Sequence, residues 1–117
     1  MKLGAACQQV AQMITDAGVP AVTDERDLNL PGALVGPVDV SFEVLDETSY
    51  VATWDVWLIT IDNGAGPALD DLGDMLAKVR AVVQVDDARA QAVVLANHGA
   101  DPLPALTFTL TTQITED

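Results

Sequence analysis

Hydrophobic and polar residues alternate most clearly in a central stretch, residues 50–61. Its residues divide between two sides, with Ala52, Trp54, Val56 and Leu58 on one and Val51, Thr53, Asp55, Trp57, Ile59 and Ile61 on the other. β-Branched and aromatic residues with no glycine or proline among them favour an uninterrupted β strand. Because both sides are largely apolar, the pattern predicts an inner strand with other groups packed on each face.

Two segments show apolar residues every three or four positions, as amphipathic helices do. The first covers residues 3–17; Gly18 is placed to end it in the left-handed conformation, and Pro20 prevents its continuation. The second starts with Pro67, a residue type favoured at the first helical position. Its apolar stripe consists of Leu69, Leu72, Leu76, Val79 and Val83.

Four further segments are predicted to be strands. Residues 38–45 alternate cleanly and are expected to pair with the central strand as an antiparallel hairpin, joined to it by a polar turn at residues 46–49. Residues 89–96 and 105–115 are expected to form two final strands, the second with a row of threonines along one side. A short strand is expected at residues 21–23.

These elements predict one domain over residues 1–117, of the α+β class. It would contain a single, mostly antiparallel four-stranded sheet, plus the short strand, with two helices packed on one face. Two helices of about four turns can cover one face of such a sheet, but not both. The irregular residues 19–37 therefore either fold back onto the domain's own core or lie on a neighbouring subunit.

The charge of the chain is strongly negative, with 18 acidic and 5 basic residues and a net charge of −13. Such a surface repels nucleic acids and anionic membranes, so sequence-specific binding of DNA or RNA is not expected. Good solubility, mimicry of a nucleic acid, and the lining of a passage through which DNA slides all remain open. No stretch approaches the ~20 apolar residues that span a bilayer, and no signal peptide is recognised, so we expect synthesis in the cytoplasm.

The residue types that carry catalysis are scarce and poorly placed. His98, the only histidine, belongs to a Gly/Asp/Pro turn, and residues 64–66 (Gly-Ala-Gly) lack the Lys and Ser/Thr of a phosphate-binding loop. Cys7 is the only cysteine and lies on the apolar stripe of the first helix, where a small core hydrophobe is expected. We expect a protein that is not an enzyme and that holds no cofactor.

Acidic residues cluster near the start of the second helix, at Asp70, Asp71 and Asp74, and basic residues lie towards its end, at Lys78 and Arg80. This order complements the helix dipole and explains the aspartates without a metal ion. No metal site is therefore expected.

Four short sequence motifs are notable for their order and spacing: Leu-Val-Gly-Pro at 34–37, Ile-Asp-Asn-Gly at 61–64, Ala-Leu-Asp-Asp-Leu at 68–72, and Leu-Pro-Ala-Leu at 103–106. Together with the order of helices and strands, they resemble the tail terminator proteins of long-tailed bacteriophages, especially phages of actinobacteria. The resemblance extends from the first helix to Thr112. It implies a virion protein at the head-proximal end of the tail.

Members of that family form a six-membered ring that caps the tail tube and joins it to the head–tail connector. The resemblance thus implies that the partners are other copies of this chain, the tail tube protein and the connector. DNA would only pass through the lumen, and six copies of a chain with net charge −13 would carry −78, which keeps DNA from adhering. The candidate interface residues are Leu28, Leu30, Leu34, Val35, Trp57 and Ile59.

An alternative from another class also fits the charge. An acidic protein can mimic nucleic acid and inhibit a DNA-binding enzyme of the host. That function predicts carboxylates spaced like phosphates along one exposed ridge, and salt-sensitive binding to a basic partner.

Overall fold

The computed structural model describes residues 3–41, 49–62, 64–85, 87–95 and 102–115. The elements, in chain order, are α1 (Leu3–Asp16), β1 (Ala21–Val22), a 3-10 helix (Glu25–Asp27), β2 (Gly32–Ser41), β3 (Ser49–Ile59), α2 (Ala65–Arg80), β4 (Arg89–Val93) and β5 (Leu103–Thr115). The strands form one sheet in the order β1-β2-β3-β5-β4. The predicted α+β class with two helices is confirmed. The sheet is five-stranded and mixed, because the short β1 runs parallel to β2 while the other neighbours are antiparallel.

Both helices lie on the same face of the sheet, α1 against β2 and α2 against β3 and β5. We call this the helix face. The alternation in β3 places Ala52, Trp54, Val56 and Leu58 there, all at most 1% exposed. Trp54 is fully buried, and its indole Nε1–H donates a hydrogen bond to Thr112 Oγ1 at 2.8 Å. The main core of the protein therefore lies between the helices and the sheet.

The first helix ends as its sequence predicts. Gly18 has φ of +109°, a region that favours glycine, and the backbone N–H of Val19 donates to the carbonyl of Ile14 at 3.3 Å. Cys7 is buried in the main core, where its thiol lies 3.8 Å from the carbonyl oxygen of Val35. Burial raises the pKa of the Cys7 thiol, which keeps it protonated and unreactive. The expectation of a core hydrophobe at this position is confirmed.

The first strand of the hairpin begins earlier in the chain than predicted. β2 covers Gly32–Ser41, whereas the alternation had indicated residues 38–45 with an irregular segment before them. Residues 42–48, which include most of the predicted turn, lie outside the described residues. The antiparallel pairing with β3 is confirmed, with Ala33 opposite Leu58, and the register shifts between Pro37 and Asp39.

The second helix also begins earlier than predicted, at Ala65 rather than at Pro67. Its first turn consequently contains no acidic residue, and Asp70, Asp71 and Asp74 lie further along. The expectation that these aspartates complement the start of the helix is corrected. Lys78 and Arg80 do lie in the last turn, where positive charge stabilises the helix end.

Candidate subunit interface

The face of the sheet turned away from the helices, here called the outer face, is built by alternate residues of β2, β3 and β5. In the ladder, Leu34 lies opposite Trp57, and Trp57 lies opposite Thr107 on its other side. Directly paired residues of antiparallel strands share a face. The two tryptophans of β3 are thus separated, Trp54 under the helices and Trp57 on the outer face.

One half of the outer face is covered by the chain itself. Residues 23–31, here called the roof segment, cross this half and place Leu28, 4% exposed, over the sheet. The buried members of the resulting cluster are Leu28, Ile59, Leu95 and Ala105, with Val22, Leu30, Leu34, Trp57, Val93 and Leu103 packed around them. The irregular segment therefore folds back onto its own domain, which was one of its two expected arrangements.

Local hydrogen bonds shape the roof segment. The carboxylate of Asp24 accepts the backbone N–H of Arg26 at 2.9 Å, and the Arg26 guanidinium donates to Asp24 Oδ2 at 2.8 Å. These bonds lower the pKa of Asp24 to about 2. The segment re-enters the sheet at Ala33, whose N–H donates to the carbonyl of Pro20 at 2.8 Å.

Gly32 is the residue at which the roof segment meets β2, and we expect Gly32→Ala to destabilise the protein by about 1–3 kcal/mol. A β-carbon there would clash with the carbonyl oxygen of Asn29 and lie 3.1 Å from that of Pro20. Both obstacles are backbone atoms, so the roof segment itself would have to move. Urea denaturation measures the loss of free energy of unfolding.

Gly36→Ala is the matched control, because Gly36 lies in the same strand and a β-carbon there meets nothing within 4 Å. Its free energy of unfolding should stay within about 0.5 kcal/mol of the wild type or rise slightly. Equal losses for the two variants would contradict the close approach at Gly32.

The other half of the outer face is open. Trp57 lies at the boundary between the two halves: it packs against the covered cluster, is only partly buried, and borders a cavity of about 710 Å³ in the open half. Polar residues form much of its wall: Asp55, Arg89, Gln91, Thr107 and Thr109. An aromatic side chain among polar groups at an open surface is a common feature of protein interfaces.

The six predicted interface residues lie in three different environments. Val35 is 1% exposed and belongs to the main core, because its position in β2 turns it towards the helices. Leu28 and Ile59 are buried within the chain, at 4% and 0% exposure, under the roof segment. The prediction that these three contact a neighbour is therefore corrected. Leu30, Leu34 and Trp57 lie together on the outer face and remain partly exposed, and their contact with a neighbour stays a prediction.

A second apolar surface lies between the start of α2 and β4, and the sequence pattern did not predict it. Leu69, expected on the buried stripe of α2, is 57% exposed and lines an open groove of about 560 Å³. Its other walls include Leu72, Ala92, Leu103 and Pro104. Ile61, 51% exposed, directly precedes Asp62 of the wall, and Val94, 59% exposed, follows Ala92 of the wall by two residues. The small side chains of Ala90 and Ala92 in β4 could have indicated this groove, because they give α2 little to pack against.

The described residues form no metal-binding cluster. Within those ranges, no group of three or more His, Cys, Asp or Glu side chains is arranged to hold a metal ion. His98 lies outside them. Neither α1 nor α2 is long and apolar enough to cross a bilayer. What the geometry offers is a pair of partly apolar surfaces suited to contact with other macromolecules.

Comparison with known proteins does not assign the chain to a family. No family model matches it, and a search of curated proteins finds no significant relative. Its function is therefore inferred from the fold, the surface and the short sequence motifs.

Proposed function

We propose that this protein is the tail terminator of a long-tailed bacteriophage, a ring of six copies that caps the tail tube and joins it to the head–tail connector. The observation that carries the proposal is the half-covered outer face, where Trp57 stays partly exposed beside an open cavity and the neighbouring Leu34 is also partly exposed. One chain has no further element among its described residues to cover that area. A neighbouring copy would cover it, as repeated contacts do in closed rings.

Two separate surfaces suit a subunit that makes two kinds of contact. The open half of the outer face, around Trp57, would meet the next copy in the ring. The groove beside Leu69 lies on the helix side of the sheet, between α2 and β4, and would receive an apolar side chain of the tail tube or connector protein. Exposed large apolar residues of this kind are more frequent at interfaces than on the rest of a protein surface.

The charge of the chain supports a ring through which DNA passes. The net charge is −13, and Arg26 is the only basic residue that forms an ion pair among the described residues. Proteins bind DNA largely through lysine and arginine side chains, which neutralise phosphates and release the condensed counterions into solution. A strongly acidic ring offers few such contacts, so DNA would slide past it without adhering.

Electron cryomicroscopy of tails tests the proposal directly. Phage particles whose copy of this gene is intact should show a six-fold ring of this protein at the head-proximal end of the tail. A phage that lacks the gene should produce heads and tails that are not joined, and the tails should have abnormal lengths. A complementing copy that carries Gln9→Ala, an exposed residue of α1 that lines neither proposed contact surface, serves as a folded control.

Joined heads and tails of normal length in the absence of the gene would contradict the proposal. An affinity purification from infected cells separates it from the nucleic-acid mimic. Tail tube and connector proteins should copurify with the terminator, whereas a mimic should bring down a host nuclease or another DNA-binding enzyme in a salt-sensitive complex.

A further inference from the structure

The outer edge of β5 is uncovered over much of its length. β5 pairs with β3 from Ala105 to Thr115, but β4 covers the opposite edge only from Leu103 to Thr107. Among the described residues, no strand pairs with that edge from Phe108 onwards. An edge of this kind presents a row of unpaired backbone donors and acceptors.

The hydrogen bonds identify which backbone groups point outward. The N–H of Thr60 donates to the carbonyl of Pro104 at 3.1 Å, so the main chain at Pro104 faces the β3 side. Main-chain groups of a strand alternate between its two neighbours, and the β3–β5 register has no shift from Ala105 to Thr115. The residues whose N–H and C=O groups face the open edge are therefore Thr109, Thr111, Gln113 and Thr115.

Three common protections against pairing are absent from the described residues of this edge. From Ala105 to Thr115 the strand has no charged residue, no proline and no bulge, and it is rich in β-favouring threonine. The opposite side of the sheet is different. Along β2, Pro37 has no N–H to offer, the register shifts after it, and the Val35 carbonyl already lies against the Cys7 thiol. Of these two edges, that of β5 is the better suited to accept a strand.

We propose that the free protein is a two-fold dimer in which the β5 edges of two copies pair antiparallel, centred on Thr112. In this register Thr111 lies opposite Gln113 of the second copy, and Thr109 lies opposite Thr115. It uses all four outward-facing residues and leaves β4 in place. Centring the pair on Thr111 would instead bring Thr107, already paired with Arg89, opposite Thr115.

A second copy fits this edge for reasons of charge and pattern. Two molecules of net charge −13 repel each other, and they approach most easily along a strand that carries no charge. The register also places threonine opposite threonine or glutamine, and Leu110 opposite Ile114. Cross-strand pairs of these types stabilise sheets. The dimer concerns the sheet edge and the free protein, whereas the proposed ring uses the outer face, so either can fail without the other.

Thr111→Pro tests the pairing while sparing the fold. Proline at an outward-facing position removes a donor at the open edge and leaves the β3–β5 ladder intact. Sedimentation equilibrium over a dilution series should give the wild type twice the 12.3 kDa mass of one chain. The variant should show a dimer dissociation constant raised at least about ten-fold. Thr111→Val keeps the N–H group and should dimerise like the wild type.

Amide hydrogen exchange of the wild type provides a second readout that does not depend on a variant. The N–H groups of Thr109, Thr111 and Gln113 should be protected at concentrations where the dimer forms and should lose protection on dilution. Monomeric wild type at all concentrations, a Thr111→Pro protein that dimerises normally, or exchange at these three amides that ignores concentration would each overturn the pairing.

Discussion

Trp54→Ala is expected to lower the free energy of unfolding by about 3–5 kcal/mol, the largest loss that any single truncation in this chain should cause. Trp54 is fully buried in the main core between the helices and the sheet. Truncating this side chain leaves a cavity between the helices and β3, and it removes the hydrogen bond to Thr112. Since small domains are stable by about 5–15 kcal/mol, the variant should lose a large fraction of its stability.

Urea denaturation of a graded series separates packing from hydrogen bonding. Trp54→Phe keeps an aromatic ring and should lose less than the alanine variant. Thr112→Val removes the acceptor of the indole N–H and should cost about 1 kcal/mol, whereas Thr112→Ser keeps a hydroxyl and should cost less. A loss below about 1 kcal/mol for Trp54→Ala would show that this side chain is not central to the core.

Trp57→Ala is expected to prevent assembly of the proposed ring while leaving the chain folded. Trp57 lies on the outer face, only partly buried, at the border of the open cavity. Truncating an aromatic residue central to an interface costs about 2 kcal/mol or more, roughly thirty-fold in the association constant of each contact. A ring repeats the loss at every junction, so tails made with this variant should carry no ring in electron micrographs.

Two controls make that result specific. The free energy of unfolding of Trp57→Ala should fall by less than that of Trp54→Ala, because more of the Trp57 side chain is already in water. Trp57→Phe retains an aromatic group and should restore part of the assembly. Tails that carry a complete ring of the Trp57→Ala protein would rule out the outer face as the contact between subunits.

Prediction from sequence succeeded where a local pattern had one physical meaning. The stripe of α1, the left-handed Gly18 and the alternation in β3 all describe interactions between residues close in the chain. It failed where two patterns competed. Gly32–Val35 is a short apolar run next to proline and glycine, which resembles a loop until β3 supplies the ladder that makes it a strand.

The candidate interface shows the same division. Trp57 was predicted to lie on the sheet face that the helices leave open, and it lies there. Leu34 and Val35 were both predicted to contact a neighbour, because their segment was interpreted as a loop and no alternation could be assigned to it. Once Gly32–Ser41 is a strand, neighbouring residues alternate in direction, and Val35 turns into the main core.

By itself the sequence determined the helices, the inner strand with one tryptophan on each face, and the strong negative charge of the chain. Periodicity and charge are properties of neighbouring residues, so they can be read without knowing the fold. Only the tertiary structure decided that residues 23–31 cover half of the outer face and that one edge of β5 stays open. Both depend on contacts between segments far apart in the chain, and such contacts leave no periodic trace in the sequence.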